Sequence, residues 1–180
     1  MSDPPAGHLA RLVKNRLGNS LGVGLSIAPG ERFVVMRERL LELVAFLRKD
    51  PDADLALLVD IAGLDHGEAS QPRFAVCYQL RSPRLGYRAH IEVRLEEDDA
   101  IVPSLTPYFR AAETLERELF EMFGIYADGH PSLTPYLLYP GFVGHPLRKD
   151  YRASKQQPLV PVLDSSVPPV VIDADEREAP

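Results

Sequence analysis

The strongest constraint on this sequence is a break at Gly124: the chain reads in regular periods up to that point and loses its period after it. Residues 107–123 carry the clearest helical pattern. Ala112, Leu115, Leu119, Met122 and Phe123 recur at spacings that draw one apolar stripe along a helix. Thr106 and Pro107 supply a start signal, threonine as cap and proline at the first helical position. Gly124 supplies the stop. Glu113, Arg117 and Glu121 stand four apart and are spaced to pair along the helix surface. Residues 125–151 then run through Gly, Pro, His and Tyr without a repeat. A fold for this chain must therefore seat a long aperiodic segment, stiffened by proline, directly behind a strong helix.

The first half is more conventional. Leu9, Leu12, Val13 and Leu17 predict a short helix over 7–17, ended at Gly18. Residues 21–27 and 32–36 read as two short strands around Pro29-Gly30. A second helix follows over 37–49, with Leu40, Leu41, Val44 and Leu47 facing inward and Asp50-Pro51 as its stop. Residues 55–61 are almost continuously apolar, the pattern of a strand buried on both faces. Phe74, Val76, Tyr78 and Leu80 alternate with smaller or polar residues, and Ile91, Val93 and Leu95 alternate with His90, Glu92 and Arg94. Those two runs predict antiparallel strands with one wet face, joined by a loop at 81–84. Together these elements predict an α+β domain over 1–124, helices packed on one face of a largely antiparallel sheet. A Gly/Pro-rich loop region over 125–151 and an extended Pro-rich tail over 152–180 complete the expected organisation. Pro158, Pro161, Pro168, Pro169 and Pro180 bar the tail from helix or central strand. Either an arm laid on a partner or a disordered terminus accounts for its composition.

Composition narrows the function classes. The chain has 180 residues and a net charge of -6, against the basic face a nucleic-acid binder needs, so no nucleic-acid partner is expected. Its single cysteine, Cys77, cannot close an internal disulfide and points to a reducing compartment. One thiol also falls short of the roughly four that hold an iron–sulfur cluster or a multi-cysteine zinc site. The run at 55–59 is far shorter than the ~20 residues of a membrane-spanning helix. Residues 1–7 are polar and contain proline, unlike a secretion signal.

The candidate chemical motifs fail on context. Gly18, Gly22 and Gly24 follow a helix and enter a strand, and Ile27 stands where a dinucleotide loop needs its third glycine. Asp60, Asp65 and His66 have the atoms for a metal, yet read more simply as a strand end turning at Gly63. His130 and His145 each sit in Gly-His-Pro, a triplet that restricts the backbone and suits a loop-holding imidazole better than an acid–base pair. No serine occupies a GxSxG turn, and Cys77 lies inside an alternating strand, where an inert thiol is expected. Arg148 could fork onto a carboxylate. These readings assign no catalytic, cofactor-binding or metal-ligating residue; a small independent enzyme using His130, His145 or Asp60 is the contrary reading.

Three blocks carry a more specific signal. Residues 116–125, reading ERELFEMFGI, then Gly129-His130-Pro131, then GHPLRKDY over 144–151 closely resemble the signature of the C-type subunit, the 30 kDa-type subunit of respiratory complex I. Residues 58–61, 74–80 and 102–106 resemble that family's sheet strands and its approach to the signature helix. The resemblance spans about residues 10–151. Thr114, Glu121, Thr134-Pro135 and Val143 stand where the family pattern has tryptophan, aspartate, an arginine pair and glutamate.

The resemblance implies a structural, cofactor-free subunit of the proton-translocating NADH:quinone oxidoreductase. It implies a place in the peripheral arm, on the cytoplasmic side of the inner membrane, with membrane contact only through the complex. Its expected partners are the D-type subunit, which helps form the quinone site, and the B- and I-type iron–sulfur subunits. FMN and iron–sulfur clusters would belong to partner subunits. The residues expected at the partner interface are Glu116, Arg117, Glu118, His130, Pro131, His145, Pro146, Leu147, Arg148, Lys149, Asp150 and Tyr151. An equivalent subunit of a membrane-bound [NiFe] hydrogenase or formate hydrogenlyase complex is the alternative the resemblance leaves open.

Overall fold

Strand alternation and helix periodicity meet on one face of one sheet. The computed structural model describes residues 6–18, 24–26 and 30–152; the tail from 153 on lies outside the described residues. Strands β1 (Gly24–Ser26), β2 (Glu31–Val35), β3 (Leu57–Asp65), β4 (Phe74–Arg81) and β5 (Arg88–Leu95) form a five-stranded sheet in the order β1-β2-β5-β4-β3. All neighbours are antiparallel except β2 and β5, which run parallel. Helix α2 (Arg37–Lys49) begins the crossover between those two strands. β6 (Ile101–Pro103) and β7 (Tyr126–Asp128) form a second, parallel pair.

The predicted alternation holds in β4 and β5. Phe74, Val76, Tyr78 and Leu80 pair across with Leu95, Val93, Ile91 and Ala89, and all eight are buried. Phe33 and Val35 extend this apolar face through β2. Helix α1 (His8–Leu17) contributes Leu9 and Val13, and α2 contributes Leu40, Leu43, Val44 and Leu47, all buried in the same core. Each such buried aliphatic side chain contributes roughly 1.5–3 kcal/mol of transfer free energy. The start of α1 is fixed by a buried carboxylate. Glu31 accepts the Leu9 and Ala10 N–H groups, two of the donors a helix N-terminus leaves unpaired.

Several expectations are corrected. The apolar run at 55–61 is no doubly buried strand. Its strand, β3, is the sheet edge; Leu58 and Ile61 enter the core while Leu57 and Val59 are exposed beside a register shift between Leu58 and Asp60. A short apolar run reads alike for a central strand and for an edge that bulges. The connection between β4 and β5 covers residues 82–87 rather than 81–84.

The helix expected over 107–123 begins later, as α3 (Ala112–Phe123). Residues 105–111 form turns before it, with the Tyr108 and Phe109 N–H groups both reaching the Leu105 carbonyl. The Thr106 hydroxyl pairs with Ser104, so Thr106 is not the cap. Of the strand expected over 21–27, residues 24–26 are described and form β1. The chain also does not leave the domain at Gly124. β7 pairs with β6 immediately afterwards, and the loop beyond it folds back onto α3.

Candidate functional site

Helix α3 joins the two halves of the molecule. Its inner face lies on β3 at Gly63, where an added Cβ would stand 2.6 Å from Phe123 and 2.9 Å from Leu119. Any larger residue would lift the helix from the sheet. Its outer face and C-terminus hold the aperiodic loop.

Two glutamates of α3 are almost wholly buried. Glu116, 1% exposed, accepts hydrogen bonds from the Ser104 hydroxyl and the Leu105 N–H, both at 2.6 Å. Burial pushes its carboxyl above the ordinary value, and those two donors pull the other way. Glu121, 4% exposed, accepts three consecutive backbone donors: Tyr136 N–H at 3.1 Å, Leu137 N–H at 2.8 Å and Leu138 N–H at 2.7 Å. Here burial opposes ionisation, but the three N–H bonds outweigh it and hold the carboxyl below its ordinary value. One carboxylate thus gathers three successive backbone N–H groups of the loop.

The i, i+4 pairs expected along α3 are replaced by the same logic. Arg117 donates from Nε to the Thr134 carbonyl and stacks on the Tyr136 ring, 4.5 Å from its centroid. Glu113 offers its backbone carbonyl to His130 Nε2 at 2.9 Å, while His130 Nδ1 accepts the Ser132 N–H at 3.0 Å. That pattern makes Nε2 the protonated nitrogen and turns His130 into a strut between helix and loop.

The GHPLRKDY segment caps the helix. A helix ends with carbonyls that have no partner in the next turn. Gly124 N–H takes the Phe120 carbonyl, His145 Nδ1 takes Glu121, Leu147 N–H takes Met122, and Arg148 Nε takes Phe123. The guanidinium also places positive charge at the negative end of the helix dipole. Gly124 makes this possible: its φ is +71°, and a Cβ there would fall 2.5 Å from His145 and 2.6 Å from Arg148.

An ion network centred on the buried Arg73–Asp65 pair then ties the cap to the sheet. Arg73, 2% exposed, forks onto Asp65 and also meets Glu97 at 2.5 Å and Asp150 at 3.0 Å. The Asp65 bonds, followed by those of Glu97, raise the Arg73 pKa. Asp65 also accepts the Lys149 and Gly67 N–H groups. Burial opposes its ionisation, but the Arg73 fork and both N–H bonds prevail and hold it at about 2. Arg73 and Arg148 both lie against the Phe74 ring, 4.9 and 5.0 Å from its centroid. Breaking one member of such a set leaves a buried charge unmatched.

The expected interface residues therefore divide. Glu116, His130, His145 and Arg148 are engaged within the chain, as is the Asp150 carboxylate. Arg117 is half-buried under Tyr136, and Tyr151 stacks near Phe142 at 5.9 Å. Glu118, Pro131, Leu147 and Lys149 are exposed, while Pro146 is half-buried. Sequence reasoning missed Arg73, Asp65 as its partner, and the two buried glutamates as loop organisers. Cys77 is half-buried on β4, and burial pushes its thiol up, offset in part by Arg32.

A cleft of about 450 Å³ opens between α3 and the loop, lined by Phe120, Pro135, Leu138, Tyr139, Phe142 and His145. Around it Leu137, Val143 and Leu147 stand 49%, 63% and 53% exposed, on a segment otherwise held from within. These apolar side chains gather on one loop segment, 137–147.

Known proteins resemble this chain in sequence and in fold. Residues 33–157 match the family described as respiratory-chain NADH dehydrogenase, 30 Kd subunit. The C subunits of the NADH-quinone oxidoreductases of Brucella ovis and Brucella abortus are each 40% identical over 152 residues, covering 84% of this chain and 74% of theirs. A trypsin-resistant fragment of Nqo5 superposes with a TM-score of 0.59 at 30% identity, over 70% of this chain and 99% of the fragment. A chain of an archaeal membrane-bound sulfane sulfur reductase shares the fold, with a TM-score of 0.67 at 21% identity over 81% of this chain and 85% of that one. The chain belongs to the 30 Kd subunit family of the respiratory-chain NADH dehydrogenase.

Proposed function

We propose that this chain is the C-type subunit of an NADH:quinone oxidoreductase, a cofactor-free peripheral-arm component that holds its neighbours in register. Electron transfer from NADH to quinone, coupled to proton translocation, needs fixed distances between cofactors. In this reading FMN and the iron–sulfur clusters sit in partner subunits, and this chain supplies rigidity. It attaches peripherally, on the cytoplasmic side of the membrane. Among the described residues no helix is long and apolar enough to cross a membrane.

The clasp on α3 carries the reading. Side chains that sequence alone could assign to chemistry, His130, His145, Asp65 and Arg148, each direct a polar atom at this chain's own backbone or ion network. The result is a loop pre-ordered before any partner arrives, which lowers the entropic cost of association. The D-type subunit would dock on its apolar face over the 450 Å³ cleft, with the B- and I-type subunits beside it. Glu118, Pro131, Leu147 and Lys149 would meet the partner directly. Glu116, Arg117, His130, His145, Pro146, Arg148, Asp150 and Tyr151 would set the loop's shape from within or at its margin.

The test is Leu147→Asp in the full chain, followed by mass spectrometry of the complex that co-purifies. Leu147 is 53% exposed, so the isolated variant should melt as the wild type does. Its recovery in the complex should fall roughly ten-fold, the effect of a charge buried in an apolar contact. Normal assembly and normal quinone turnover would sink the proposal. A wild-type chain that co-purified with a large subunit bearing paired CxxC motifs would instead favour the hydrogenase-type complex.

A further inference from the structure

The second face of the five-stranded sheet carries a different chemistry from the rest of the chain. Among the described residues, the three helices and the α3 loop cover the opposite face and leave this one open. On the open face the register sets three rows across the strands: Leu64, Ala75 and Arg94; Ala62, Cys77, Glu92 and Val34; Asp60, Gln79, His90 and Arg32. Arg81 and Arg88 face each other at the end of the β4–β5 pair. The chain's net charge is -6, yet this face holds Arg32, Arg81, Arg88 and Arg94 against Glu92 and Asp60.

The arrangement is ordered rather than incidental. Glu92, 4% exposed, sits between Arg32 and Arg94 and pairs with both, which fixes two guanidinium planes on the sheet. Arg81 and Arg88 are exposed and, among the described residues, form no ion pair. Like charges directly opposite on adjacent strands destabilise a sheet. An anionic partner would relieve that repulsion. Between the arginines lie small groups, Ala62, Ala75, Cys77 and Val34, and the exposed Leu57 and Leu64 stand at the β3 edge of the same face. A protein segment can lie along that stripe and set its carboxylates against the arginines.

We infer that this open face is a second docking surface, for a partner-subunit segment that bears carboxylates along a narrow apolar stripe. The inference rests on the reading that the chain works within an assembly. It adds a neighbour on the side opposite the α3 loop. Complementary charge gives such a contact its specificity and its salt dependence.

Cys77, the chain's single cysteine, reports on the face directly. Thiol alkylation is measured on the full chain alone and in the purified complex, with Arg88→Lys introduced for carboxylate–amine coupling by a carbodiimide. Assembly should slow Cys77 alkylation roughly ten-fold, as burial in an interface core excludes the reagent. Lys at position 88 should couple to an Asp or Glu of another subunit. Arg81→Glu with Arg88→Glu, both exposed, should keep the melting temperature of the isolated chain and shift release from the complex to lower salt. Equal alkylation in both forms overturns the inference. Coupling only to this chain's own acidic residues overturns it too, as does protection that disappears when lipid is stripped away with the set of subunits unchanged. The set of subunits in the wild-type complex judges the preceding proposal separately. A chain recovered alone overturns both.

Discussion

Helices α2 and α3 are of similar length and both lie on the same face of the sheet, but different physics holds each of them. α2 buries Leu40, Leu43, Val44 and Leu47, each at 0% exposure, and ends in an extended residue at Asp50. α3 buries Ala112, Leu119 and Phe123 beside two carboxylates, Glu116 and Glu121, and ends under a cap brought from 20 or more residues downstream. Hydrocarbon burial is non-directional and holds a helix wherever it fits. Carboxylates with specified donors are directional, so α3 determines where a loop without a period must lie. The difference shows why the region without regular structure can still present a defined surface.

The largest break should come on the α2 side. Leu43→Ala removes a fully buried side chain from the core and should cost about 3 kcal/mol of global stability. Urea unfolding of the isolated chain should show a lower midpoint with an unchanged slope. A cost below about 1 kcal/mol would mean that the core collapses around the cavity and that apolar packing is not the main support of that half.

Glu121→Ala tests the other half. It leaves the Tyr136, Leu137 and Leu138 N–H groups without their acceptor, at a cost of about 2–3 kcal/mol before the loop relaxes into water. The expected signature is local. Amide exchange over 134–142 should speed up markedly while the β4 and β5 amides keep their protection. Uniform loss of protection would show that the loop and sheet unfold as one unit, and the contrast between the helices would fail.

The same contrast explains what was legible in the sequence. Apolar periods announced α1, α2, β4 and β5, because burial against a sheet leaves a repeating mark. Alternation alone could not announce that β3 is an edge, since Leu57 and Val59 resemble core residues until their neighbours are known. The start of α3 was misplaced because Thr106-Pro107 is a genuine start signal. The Ser104–Thr106–Glu116 hydrogen bonds turn it to another use. The histidines were legible as loop-holding groups because Gly-His-Pro restricts the backbone on both sides. Arg73 was not legible, because its partners come from residues 65, 97 and 150 and no local pattern joins them.

That network gives the smallest effect and the finest test, through pH. Asp65 sits at about 2 in the folded chain against an ordinary 3.8. Because its folded value lies below its unfolded one, the folded state binds fewer protons. The stability from Asp65 is therefore present above about pH 4 and fades as pH falls towards 2. A shift of that size corresponds to about 2 kcal/mol. The Lys149 N–H, which ties the cap to the end of β3, loses its carboxylate acceptor at the same time. Acid should therefore free the 145–150 segment before the sheet opens, read as proteolysis or amide exchange confined to that stretch. Glu121 is also held below its ordinary value and titrates in the same direction. Glu121→Gln removes its contribution and should leave the acid release of 145–150 in place. Asp65→Asn should bring on that release already at neutral pH and flatten its pH dependence. If Asp65→Asn kept the wild-type acid profile, the cap would be held by the α3 carbonyls alone, and the ion network would serve only the sheet.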